Sequence, residues 1–183
     1  MTEQEAKQLL LKALEILDTR LVTSGCSPVE IRIVGGFALI LHGIRETGFT
    51  QDIASMTRDF EPQVKQLIAE IGKELGLKLG WLNADMVLDD PEIIEMIIGE
   101  THFDQFGDYQ ALDVKVADLT TLLKLKIVAA GDTILAHDSI EYERHARDLV
   151  ALLKEMNIDS VEKLMQAAPN AEEFPELLRL LFK

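Results

Sequence analysis

The stretch IRIVGGFALILHG, residues 31–43, constrains the fold more than any other part of the chain. Ile31 to Val34 is short and rich in β-branched residues, which reads as a buried strand. Gly35-Gly36 ends it, and Phe37 to His42, closed by Gly43, suits a short helix. Paired glycines permit positive φ and close backbone approach, while the start of a helix presents unpaired N–H groups and a positive dipole end. Such a corner can hold a triphosphate. Phe49 to Ile53 reads as a second strand, able to pair with the first and carrying Asp52 near its end.

Helices and strands mingle around this corner. Thr2 to Thr23 reads as a helix, with Thr2 and Glu5 at capping-box spacing and Leu10, Leu14, Leu17 and Leu21 at helical intervals. Gly25, Ser27 and Pro28 stop it. A helix from Glu61 to Leu75 follows, with Pro62 in its first turn, where the missing N–H is not needed. Leu77 to Leu82 reads as a third strand, Pro91 to Ile98 as a short helix, and Leu112 to Val116 as a fourth strand. Asp118 can cap a helix running through Ala130. From Asp138 the pattern is helical, with breaks near Asn157 and Pro169 and a cap at Ser160. The expected fold class is α+β: a small mixed sheet flanked by helices within residues 1–117, then a helical region, 118–183, packed on it as one unit.

Charge narrows the partners. The 183 residues carry a formal net charge of −14. Phosphate neutralisation needs Lys and Arg in excess, so an extended nucleic-acid face is disfavoured, although a small phosphate pocket is not. From Leu79 to Val114 there is no Lys or Arg but there are nine acids, among them Asp85, Asp104 and Asp113. These read either as solvated acidic loops or as a surface attracting a metal or a cationic substrate. A single cysteine, Cys26, excludes an intrachain disulfide and fits a reducing compartment. The opening MTEQEAKQLL lacks a signal peptide's basic start and apolar run, and no apolar stretch nears the roughly 20 residues of a membrane helix. The expectation is a cytoplasmic protein with no membrane partner.

Gly35, Gly36, Arg45, Thr50 and Asp52, gathered in residues 33–55, resemble the nucleotidyltransferases of the DNA polymerase β type. The likeness is nearest to bacterial proteins of the AbiEii abortive-infection toxin kind. In that family a Gly-Gly or Gly-Ser turn leads through a short helix to T-x-D-I-D, whose aspartates bind divalent metal. The likeness extends through GWLNADMV (80–87), DLTTLLKLKIVAA (118–130) and RHARDLVALL (144–153). It implies a nucleoside triphosphate, with ATP as the expected donor, and Mg²⁺ bound by Asp52 and Asp85. It also implies transfer of a nucleoside monophosphate to an acceptor hydroxyl, on a protein, a tRNA end or a cationic small molecule. Magnesium needs hard oxygen ligands, hence the aspartates.

The sequence departs from the pattern at one position: it reads Asp52-Ile53-Ala54, so a methyl stands where the second aspartate is expected. An engineered inactive variant, a natural pseudoenzyme (a binding or regulatory module, such as one member of a toxin–antitoxin-like pair) and an enzyme recruiting Asp59 all fit that departure. Asn83 and Asp113 compete with Asp85 as the third ligand position. Lys126 matches the family's helix lysine and can reach a phosphate, or its stem covers the core while its head stays wet. Arg144, Arg147 and Asp148 follow the family's basic-then-acid pattern, or form an intrahelical ion pair. Trp81 could stack on a base or sit in the core. His42, His102, His137 and His145 show no metal-ligand spacing.

Overall fold

Burial alternates along the central strands. In β1 (Val29–Val34), Ile31 and Ile33 are fully buried, while Glu30 and Arg32 are partly exposed. In β5 (Leu112–Ala117), Val114 and Val116 are buried and Asp113 and Lys115 are not. This two-residue period puts one apolar and one charged face on the sheet. The structure, a computed structural model, describes residues 3–44, 50–57, 60–84 and 91–182.

The sheet also holds β2 (Ile53–Ser55), β3 (Leu82–Asn83) and β4 (Phe103–Gln105), in the order β3-β2-β1-β5-β4. β1 runs antiparallel to β2 and parallel to β5; β2 and β3 are parallel, and β4 is antiparallel to β5. The fold is therefore α+β with a mixed five-stranded sheet and a helical C-terminal region, as the alternation of elements predicts.

On the charged face, Glu30 links two cations. Its Oε1 lies 2.8 Å from Arg32 Nε and its Oε2 2.7 Å from Lys115 Nζ. Lys115 also reaches Asp113 at 2.8 Å, and the Arg32 guanidinium sits 5.6 Å from the centroid of the Phe103 ring.

Helix α1 (Glu3–Ser24) packs against α3 (Pro62–Leu75). The short α2 (Gly35–Leu41) leaves β1 directly, and α4 (Pro91–Ile98) follows β3. Asp118 caps α5 (Leu119–Leu135) by accepting from the Thr121 N–H. Asp138 caps α6 (Ser139–Glu155) and Ser160 caps α7 (Val161–Ala167) in the same way. A 3₁₀ helix (Pro169–Glu173) and α8 (Pro175–Leu181) end the described chain. Leu17, Ile33, Leu122, Leu149 and Leu177 belong to one hydrophobic core, so the sheet and the later helices share it.

Three local expectations need correction, and one strand carries no signal in the sequence. The second strand starts at Ile53, not Phe49, because the fully buried Ile53 and Ser55 are its core-facing residues; Phe49 lies outside the described residues. Asp52 therefore precedes the strand. The third strand shrinks to Leu82–Asn83, since Lys78 to Trp81 is a turn closed by Trp81 N–H to the Lys78 carbonyl at 3.0 Å. Strand β4 carries no alternating signal and is held at the edge only by its pairing with β5. Helix α5 runs to Leu135 rather than Ala130.

Candidate functional site

Val34, the last residue of β1, has no side-chain acceptor to cap α2, and Gly35 follows at φ 70°. That left-handed conformation favours glycine. A Cβ added to Gly35 would lie 3.6 Å from the Ala54 methyl. The sequence thus brings position 54 against the glycine turn at the start of α2.

Register explains the placement. Ala54 pairs with Val34 on one side and with Asn83 on the other. All three stand on the face opposite Ile33, Ile53 and Leu82, because cross-strand partners share a face. Position 54 therefore sits mid-row between the glycine corner and β3. Its methyl is partly exposed and packs on the core's edge.

Asp52 has a basic partner that no motif foretold. Its Oδ2 lies 2.8 Å from Nζ of Lys78, 26 residues along the chain. The same lysine lines a cleft of about 300 Å³ with Ala6, Leu10, Thr50, Gln51 and Gly76. Thr50 is buried, 6% exposed. Lys78 stands in the turn between α3 and β3, so only the closure of that turn brings it to Asp52.

The other expected residues divide. Arg45, Asp59 and Asp85 lie outside the described residues. Asn83 donates its amide N–H to the Gly80 carbonyl at 3.0 Å. Asp113 belongs to the ion network on the sheet with Lys115. Trp81 is a core residue, 1% exposed, and its Nε1 donates to the Ile68 carbonyl at 2.8 Å, so the base-stacking alternative is set aside.

Lys126 is buried and lies 2.6 Å from Asp148 Oδ2 and 3.5 Å from His145 Nδ1. Its head is thus not wet, and Asp148 pairs across to α5. Inside α6, Arg144 pairs with Glu141 at 2.9 Å, and Arg147 Nε donates to the Glu143 carbonyl. His42 uses its Nε2 to contact the Ala117 carbonyl at 2.8 Å, tying α2 to the end of β5.

No family model, curated protein or solved structure matches the chain. The chemistry must be read from its own residues. Among the described residues, no three His, Cys, Asp or Glu side chains gather as a metal-binding group. Among the described residues the corner offers one carboxylate, already facing a lysine, beside the Asn83 amide, while position 54 carries a methyl that cannot ligate a cation. Two Mg²⁺ ions need several anionic oxygens, so this donor set does not fit a two-metal centre.

Proposed function

We propose that the chain is a nucleotidyltransferase-like protein of the DNA polymerase β type. It binds a nucleoside triphosphate, and its Mg²⁺-dependent transfer of a nucleoside monophosphate is impaired at Ala54. One observation carries this reading. The position where the second metal-binding aspartate would stand lies against the Gly35 turn, 3.6 Å from its Cβ site, between β1 and β3. A strand, a glycine turn at positive φ and a helix start supply backbone N–H groups for phosphate, and Thr50, Lys78 and the cleft beside them supply further polar contacts. Arg45 and Asp85 remain candidates for phosphate and metal contacts within this reading.

In the parent activity, an acceptor hydroxyl would attack the α-phosphate and pyrophosphate would leave. The acceptor is a protein, a tRNA end or a cationic small molecule, the last favoured by the acidic 79–114 window. A second reading, a catalytically inactive binding or regulatory module, is favoured by the Asp52–Lys78 pair, which offsets the one described carboxylate at the corner.

Calorimetric titration of ATP, GTP, CTP and UTP, with and without Mg²⁺, tests the proposal on the chain and on Ala54→Asp. The chain should bind at least one triphosphate with little Mg²⁺ dependence. Ala54→Asp should add a Mg²⁺-dependent gain and label transfer to an acceptor. Binding of no triphosphate by either protein overturns the reading. Binding by both, with no transfer by either, selects the inactive module.

A further inference from the structure

A second cavity lies between α4, α5 and the 3₁₀ helix. Its volume is about 700 Å³, and its walls are apolar: Ile94, Ile98, Leu125, Val128 and Phe174. At its edge stand three large hydrophobic side chains open to water. Met96 is 79% exposed, Leu135 73% and Ile97 42%. Isolated exposed leucines are ordinary, but three on the rim of one apolar groove form a contiguous patch of the kind that marks an interaction site.

The size and the rim decide the kind of occupant. A small molecule sunk between the walls would leave Met96 and Leu135 in water, whereas a helix laid along the groove covers both floor and rim. The charged side chains lining the groove are Asp132 and Glu173, both exposed carboxylates; among the described residues no Lys or Arg lines it. A second copy would carry the same two carboxylates into the interface and, among the described residues, no lining cation to offset them. A partner with cations flanking its apolar face would bring opposite charges together. We propose that this groove docks a basic amphipathic helix of a partner protein, with apolar anchors between α4 and α5 and Lys or Arg beside Asp132 and Glu173.

The probe is a synthetic helix of about 14 residues, four turns, with leucine at i, i+3, i+4 and i+7 and lysine elsewhere. Its comparators are a scrambled peptide of the same composition and a leucine/glutamate peptide of the same pattern. Binding is followed by fluorescence anisotropy on the full chain. The variants are Met96→Lys and Leu135→Lys, whose exposure spares the core, with Val22→Lys on α1 as the control and thermal melting as the folding check. The patterned leucine/lysine peptide should bind with one-to-one stoichiometry, and each groove substitution should weaken it about tenfold. The control should leave it unchanged. Equal binding of the scrambled peptide, or indifference to both groove substitutions, overturns the proposal. So does a dimer in sedimentation that Leu135→Lys dissolves, which would assign the groove to a second copy.

Discussion

Lys126 Nζ lies 2.6 Å from Asp148 Oδ2, joining α5 to α6 through side chains only 9% and 5% exposed. A pair this buried is costly to break from one side, because the remaining charge loses its partner without regaining water. Lys126→Met or Asp148→Leu alone should each lower stability by about 3–5 kcal/mol. The double variant should recover most of that loss, since an apolar pair of similar volume leaves no charge stranded. Urea unfolding of all four proteins checks the coupling; additive losses would mean that the two charges do not depend on each other.

Asp18 on α1 reaches across to the entrance of β5. Its Oδ1 accepts from the backbone N–H groups of Ala111 at 2.7 Å, Leu112 at 2.9 Å and Gln110 at 3.0 Å. These bonds hold the start of β5 on the first helix. Asp18→Ala should cost about 2–4 kcal/mol, because bonds to a carboxylate acceptor are strong and three backbone N–H groups, two of them partly buried, lose it. Asp18→Asn, which keeps an acceptor, should cost less. The difference in urea midpoint between the two variants measures it.

Lys78 is expected to compete for Asp52. Restoring a carboxylate with Ala54→Asp leaves the lysine 2.8 Å from Asp52. Adding Lys78→Met to that variant should raise Mn²⁺ affinity by about fivefold, the scale of an exposed ion pair. Paramagnetic titration of Mn²⁺ without nucleotide reads this directly. Equal affinity in the two variants would show that Lys78 does not guard the carboxylate.

The ion network on the sheet gives a pH dependence with a definite sign. The hydrogen bond from Lys115 is the chief cause holding the Asp113 carboxyl below its ordinary 3.8. The hydrogen bond to Asp113, followed by that to Glu30, holds the Lys115 ammonium above its ordinary 10.5. A depressed acid stabilises the folded chain above its ordinary value, and the effect is lost as pH falls through the lowered one. A raised base stabilises below its ordinary value, and that effect is lost as pH rises through the raised one. The stability difference between the chain and Asp113→Asn should therefore be flat between the two ordinary values and shrink outside them. A difference that grows toward acid would contradict the assignment.

Much of the fold was legible because its signals are local. Pro62 begins α3, Asp118, Asp138 and Ser160 cap their helices, and the β-branched run ending at Gly35 makes β1. Strand β4 was not legible: Phe103-Asp104-Gln105 has no alternation, and only pairing with Lys115 to Ala117 makes it a strand. The exact start of β2 was missed for the same reason, since register with β1 and β3 places it at Ile53. The glycine corner was visible as a pattern, but Lys78 was not, because nothing in its neighbourhood points 26 residues back to Asp52.

The amino-acid order by itself determined the α+β class, the glycine turn at Gly35 and the methyl at position 54. Each depends on residue type and spacing along the chain, which backbone sterics and periodicity translate directly. Only the tertiary structure decided that Ala54 faces Gly35 and that Lys78 meets Asp52. It also decided that Phe174 rests on Gly131, where an added Cβ would collide with its ring. These contacts arise from strand register and helix packing, which close distances that chain spacing leaves open.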